Sequence, residues 1–293
     1  MTRGYQAWKV AARPRTLPAA VAPVLVGSGL AVSDGGFRWG ALIAAMIGAL
    51  ALQIAANFAN DVSDAKRGAD AERIGPPRMV TAGIISPRQM WTATWLAVGV
   101  AALAGVYLIA TAGWVVAAIG VASIVAMLGY VGGPIPYGYR GLGEVAVLVF
   151  FGFVATVGTR YVHDQTAPPD AWWMGAVMGM LAAAILVANN LRDLDTDTRV
   201  DKRTLAVMLG RPRARALYTS LVFGSFVLIA LGPIVGVTHP LTALACMFVG
   251  LSVPLIRTAR TETEAAPLIP LLAGTARLQL LVGIALAAAA AAA

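Results

Sequence analysis

WGALIAAMIGALALQIAANFANDVSDAKRGAD, residues 39–70, sets the reading of the whole chain. From Trp39 to Asn60 there is no ionisable side chain. That length, about 20 residues, is what a helix needs to cross the hydrocarbon of a bilayer. The run then ends abruptly in Asn, Asp and Lys/Arg. Working outward, eight further apolar stretches are found, giving spans at about 17–33, 39–60, 90–110, 112–130, 143–163, 171–191, 214–235, 239–257 and 267–287. The third and fourth are separated only by a tight hairpin at Thr111 to Gly113. The alternating pattern of a transmembrane barrel is absent, so the expected fold is an all-α polytopic membrane bundle.

Composition agrees. Of the 293 residues, 59% are hydrophobic and 12% charged, and the mean hydropathy is +0.76. A soluble protein of this size has far more surface than so few charges normally cover. The formal charge of +8 would suggest nucleic acid in a soluble protein; here it reports cytoplasmic loops, and no nucleic-acid partner is expected. With the N-terminus inside, all of the 22 Lys+Arg except Arg38, Arg160 and Arg277 fall in inner segments. The C-terminus is then outside. The first fifteen residues lack the apolar core and cleavage site of a signal peptide, and Cys246, alone, forms no intrachain disulfide.

The acids are concentrated. Eight of the 14 Asp+Glu occupy two inner segments: Asp61, Asp64, Asp70 and Glu72 after the second span, and Asp193, Asp195, Asp197 and Asp201 after the sixth. Each follows the second helix of a four-helix set, a layout that suggests duplication, with the ninth helix appended. If the second span continues as a helix, Asn57, Asn60, Asp61 and Asp64 fall at i, i+3, i+4 and i+7 on one face. Asn189, Asp193 and Asp197 share a face in the same way, and Asp195 points elsewhere. Single Asp clusters often only cap helices. Two clusters on one side, each preceded by Asn, need a cation, and hard carboxylate oxygens suit Mg²⁺. Lys66, Arg67, Arg73, Arg78, Lys202 and Arg203 would meet the phosphate oxygens that such a metal leaves.

The chain resembles the UbiA-type intramembrane prenyltransferases, and within them the branch acting on 1,4-dihydroxy-2-naphthoate in menaquinone synthesis. The resemblance rests on ARPRTLPAAVAPVLVG (12–27), NFANDVSDAKRGAD (57–70), RIGPPRMVTAG (73–83), YVGGPIPYGYRGLGEVAVLVFFGFVATVGT (130–159), NNLRDLDTDTRVDKRTLAVMLGR (189–211) and TARLQLLVG (275–283). It implies a single domain over 1–293, with four-helix halves at about 17–130 and 143–257 and a ninth helix. It also implies a central cavity capped by cytoplasmic loops, in the cell membrane. The implied reaction is Mg²⁺-dependent transfer of a polyprenyl group from its diphosphate to the naphthoate, with loss of CO₂, giving demethylmenaquinol. Asp61, Asp64, Asp193 and Asp197 match the two Asp motifs and take the metal. Asn57, Asn60 and Asn189 orient metal or diphosphate, and Lys66, Arg67, Arg78, Lys202 and Arg203 contact the diphosphate. Gly68 stands where many members carry a further Asp; Asp70, two residues on, takes that role or is a solvated loop acid.

Other residues carry weaker signals. Tyr130, Tyr137 and Tyr139 either shield an allylic cation with their rings or anchor the chain at the membrane interface. Glu144 favours a helix N-terminus or lies near the acceptor. Arg277, mid-span, binds the acceptor carboxylate or pairs within the bundle. His163 and Asp164 are expected in a solvated outer loop. Rival acceptors are 4-hydroxybenzoate, homogentisate or a porphyrin. A transporter, the rival of another class, would need ionisable groups at mid-membrane, which the spans lack apart from Arg277.

Overall fold

The computed structural model describes residues 2–68, 74–132 and 136–293. Asp70, Glu72 and Arg73, singled out above, lie outside the described residues. Among the described residues the secondary structure is helical, apart from one isolated bridge between Arg140 and Arg203. The helices are α1 (Thr2–Ala12), α2 (Pro18–Ser33), α3 (Trp39–Lys66), α4 (Pro87–Ala112), α5 (Trp114–Val131), α6 (Gly143–Asp164), α7 (Pro169–Arg199), α8 (Leu205–Ile234), α9 (Pro240–Thr261) and α10 (Ala265–Ala291).

Eight of these are long and apolar enough to span a membrane, and the count becomes nine when the bent pair Gly4–Thr16 and Pro18–Ser33 is taken as one span. The expected nine is therefore met through a span bent by 52°. The bend falls where Pro14 and Pro18 bracket a 3₁₀ turn and where Arg13 adopts φ +51°; proline cannot continue the hydrogen-bond ladder of a preceding helix. The hairpin between α4 and α5 turns on Gly113 at φ +84°, a conformation that glycine enters without a Cβ clash.

Two helices overrun the expected boundaries. The expected spans end at about 60 and 191, yet α3 runs for 28 residues to Lys66 and α7 for 31 residues to Arg199. At 1.5 Å per residue they reach about 42 and 46 Å, well past a hydrocarbon core of about 30 Å. Both motifs consequently sit on rigid helical turns. α7 is the axis of the core: Val177, Met178, Leu181 and Ala184 are wholly buried against α2, α8 and α10. A smaller cluster, in which Ala7 and Ala11 of α1 meet Phe58, Val62, Met79 and Met90, fastens α1 and the 78–85 segment over the motif end of α3.

At the opposite end of the bundle the expectation of a solvated loop fails. His163 is 0% exposed; its Nδ1 accepts from the Arg38 amide (3.0 Å) and its Nε2 contacts Ser28 Oγ (3.0 Å). Arg160, 1% exposed, bridges Asp34 and Asp164. Arg160 lies inside the expected fifth span, where its own helix supplies Asp164 one turn on and tertiary packing adds Asp34 to neutralise it.

Candidate active site

A cavity of about 310 Å³ opens between α2, α3, α5, α6 and α7. Its polar end is formed by Asn57, Asn60 and Asp64 of α3, Asn189, Asp193 and Asp197 of α7, and Arg13, Arg78 and Lys202 from the connecting segments. The rest of its wall is apolar, with Ala49 and Leu52 on α3, Met127 on α5, Phe150, Phe151 and Val154 on α6, and Ile185 on α7. Phe150, Phe151 and Val154 lie in a π-helical stretch, Leu148–Val154, which widens the turn and re-aims its side chains.

The two motifs meet at Lys202. Its Nζ stands 3.6 Å from Asp64 Oδ1 and 3.5 Å from Asp197 Oδ1. Tyr139 donates its hydroxyl to Asp64 Oδ1, and its ring faces the Arg67 guanidinium at 4.4 Å and Lys202 Nζ at 5.0 Å. Burial and the Asp64 carboxylate push the Tyr139 hydroxyl above its ordinary value, and burial pushes that of Tyr137 up to about 12, so both remain donors at neutral pH. Tyr137 donates to the Ala126 carbonyl at 2.7 Å and packs edge-on against Tyr130 at 5.5 Å.

Asp193 takes the Arg192 guanidinium in a forked pair, Nε to Oδ1 at 2.7 Å and Nη2 to Oδ2 at 2.6 Å, while Arg192 Nη2 also reaches Asn189 Oδ1 at 2.8 Å. Asn57 ties the bent first span to α3, donating to the Ala12 carbonyl at 2.9 Å and to Thr16 Oγ1 at 3.1 Å; Arg13 in turn donates to the Asn57 carbonyl at 3.3 Å. Glu144 is 5% exposed. Its Oε1 accepts from the cavity-lining Asn190 at 2.8 Å, and its Oε2 is buried without a hydrogen-bond partner.

Of the residues expected to form the site, Asn57, Asn60, Asp64, Arg78, Asn189, Asp193, Asp197, Lys202, Tyr130 and Tyr137 line the cavity. Asp61 does not: its carboxylate accepts from the amides of Met79 (3.1 Å) and Val80 (3.2 Å), and so fastens the segment that carries Arg78. Lys66, Arg67 and Arg203 are exposed beyond the rim. Arg277, expected to bind the acceptor carboxylate or to pair within the bundle, is exposed on α10 and does not line the cavity. Sequence reasoning passed over Arg13, Gln53, Asn190 and Arg192. Arg13 stands in the quoted ARPRT stretch and Asn190 and Arg192 in the quoted NNLRD stretch, so only Gln53 lay outside the segments that carry the resemblance.

Among the described residues no three acids close around one point. Mg²⁺ keeps waters and is held by one or two carboxylates plus phosphate oxygens. Asp64 and Asp197, converging on one cation from two helices, with Asp193 one turn before Asp197, form such a donor set. Side chains that hold hard cations and anions together at the mouth of an apolar cavity are what binding an amphiphilic phosphate ester requires.

The chain belongs to the UbiA prenyltransferase family, whose profile its residues 20–269 match. It is an enzyme of that class, a prenyltransferase, and an integral membrane protein. It is 44% identical to the 1,4-dihydroxy-2-naphthoate octaprenyltransferase of Mycobacterium tuberculosis over 219 residues, covering 74% of this chain and 75% of that one. It is 40% identical to the protein of the same name from Escherichia coli over 233 residues, 77% of this chain and 76% of that one. The fold is shared with a UbiA homolog from Archaeoglobus fulgidus, solved bound to GPP and Mg²⁺, at TM-score 0.69 and 14% identity, covering 96% of this chain and 99% of that one.

Proposed function

We propose that this protein transfers a polyprenyl group from polyprenyl diphosphate to 1,4-dihydroxy-2-naphthoate with loss of CO₂, yielding demethylmenaquinol, with Mg²⁺ as cofactor. The observation that carries the reading is a cavity with residues of both Asp motifs at its polar end and an aliphatic and aromatic wall beyond. The acceptor rests on the relatives named above. The same reading takes residues 1–293 as one domain of two four-helix halves plus α10, with the polar end and the N-terminus on the cytoplasmic face of the cell membrane.

Mg²⁺ held by Asp64 and Asp197 would supply charge neutralisation for the departing diphosphate, while Asp193, one turn before Asp197, is kept in place by Arg192. Lys202, Arg78 and Arg13 add fixed positive charge where negative charge accumulates. The allylic C–O bond breaks with its electron pair passing to the diphosphate. The apolar wall around Phe150 and Phe151 keeps water from the allylic cation, and ring faces stabilise it. Glu144 lies behind the cavity-lining Asn190 and not in the wall itself; with Asn190 turned aside its Oε2 accepts a ring hydroxyl proton, which raises electron density at the carboxylate-bearing ring carbon. That carbon forms the new C–C bond, CO₂ leaves and returns its electron pair to the ring, and the proton goes back from Glu144 to the naphtholate oxygen.

The test is mass spectrometry of the product after mixing purified protein, Mg²⁺, dihydroxynaphthoate and a prenyl diphosphate. The expected species is the prenylated, decarboxylated naphthohydroquinone or its quinone. Turnover of 4-hydroxybenzoate or homogentisate in preference to the naphthoate would overturn the acceptor assignment.

A further inference from the structure

We propose that Lys202 is a built-in counter-ion of Asp64 and Asp197 that a divalent cation has to displace, so that the cation binds tightly only together with a diphosphate. This inference rests on the metal–diphosphate reading above. Asp64 and Asp197, 5% and 3% exposed, come from different helices and converge on one Nζ, at 3.6 and 3.5 Å. A divalent cation held by those carboxylates competes with the ammonium for the same oxygens.

The local backbone presents the lysine for this task. α7 ends at Arg199, Asp201 turns the chain at φ +51°, and the Lys202 amide bonds back to the Asp197 carbonyl at 2.9 Å. Lys202 is thereby tethered to the carboxylate it neutralises. Two nearly buried carboxylates without a cation repel and are poorly solvated. A metal arriving alone must evict the ammonium, which then loses both anionic partners while still partly buried.

A diphosphate changes that balance. Its oxygens take the ammonium as the metal takes the carboxylates, so each ligand lowers the cost of binding the other. Such coupling is reciprocal and typically amounts to a factor of about 5–150 in affinity. The Tyr139 ring, 5.0 Å from Nζ and itself held by Asp64, offers the displaced ammonium a cation–π surface on the way.

The experiment measures Mn²⁺ binding to the full chain in detergent by electron paramagnetic resonance, with and without inorganic pyrophosphate, for wild type, Lys202→Met and Lys202→Arg. Wild type is expected to bind Mn²⁺ at least about tenfold more tightly with pyrophosphate present. Lys202→Met is expected to bind Mn²⁺ alone about tenfold more tightly than wild type and to lose most of the coupling; Lys202→Arg is expected to keep it. If Lys202 only contacts diphosphate, Lys202→Met binds Mn²⁺ alone no better than wild type, and the proposal falls. Equal Mn²⁺ affinity of wild type with and without pyrophosphate overturns it without recourse to any variant. Absence of Mn²⁺ binding to every protein under both conditions overturns the metal reading itself, and the proposal with it.

Discussion

Asp61 and Asp64 lie on neighbouring turns of one helix face and do different work. Asp64 faces Lys202 and Tyr139 in the cavity; Asp61 spends both oxygens on the Met79 and Val80 amides. Asp61→Asn is therefore expected to lower stability by about 1–3 kcal/mol, read as a fall in melting temperature. Asp197→Asn is expected to leave melting little changed while cutting kcat by about 10²-fold or more, the scale of losing one charge-stabilising group. Glu144→Gln keeps the Asn190 contact and removes the proton acceptor. It is expected to lower kcat by about 10²-fold with the KM for prenyl diphosphate nearly unchanged. An unaltered kcat would remove Glu144 from the chemistry.

At the scale of elements, the cavity depends on how closely α6 approaches α7. A Cβ built on Gly152 would lie 2.6 Å from the Gly175 carbonyl oxygen and 2.6 Å from the Gly179 Cα. Backbones come this close in membrane bundles only where both sides are small. Because Gly152 sits inside the π-helical stretch, displacing it also moves Phe150 and Phe151. Gly152→Leu is expected to cost more than about 3 kcal/mol through overpacking. The loss would be seen as reduced thermal stability, together with a higher KM for long-chain prenyl diphosphates.

For the molecule as a whole, charge is held at two ends. One end carries the Asp motifs and their cations; the other carries the Arg160 cluster. Replacing Asp34 and Asp164 together by Asn would leave Arg160 buried without an anion, at an expected cost of about 3 kcal/mol or more. Melting temperature reads that cost, while the metal site at the far end keeps its Mn²⁺ affinity. EDTA is expected to abolish turnover, and restored Mg²⁺ to recover it. Turnover that persists in EDTA would overturn the cofactor assignment.

The chain by itself determined the class and most of the site. Apolar runs of about 20 residues have no alternative to membrane helices, because unpaired backbone is intolerable in lipid. Asn and Asp at helical spacing share a face whatever the packing around them, so Asn57, Asn60, Asp64, Asn189, Asp193 and Asp197 were legible in advance. Only the tertiary structure decided which oxygen meets which partner. Spacing placed Asp61 beside Asp64, but a backbone turn 18 residues later claimed it. Lys202 looked like one cation among several until α3 and α7 brought two carboxylates to it. His163 read as a loop residue because its hydrogen-bond partners, Ser28 of α2 and the Arg38 amide, lie on other segments, as does Asp34, which joins Asp164 in pairing Arg160. Local pattern fixes which face a side chain occupies. What a buried charge pairs with is set by helix packing, which joins residues far apart in the chain.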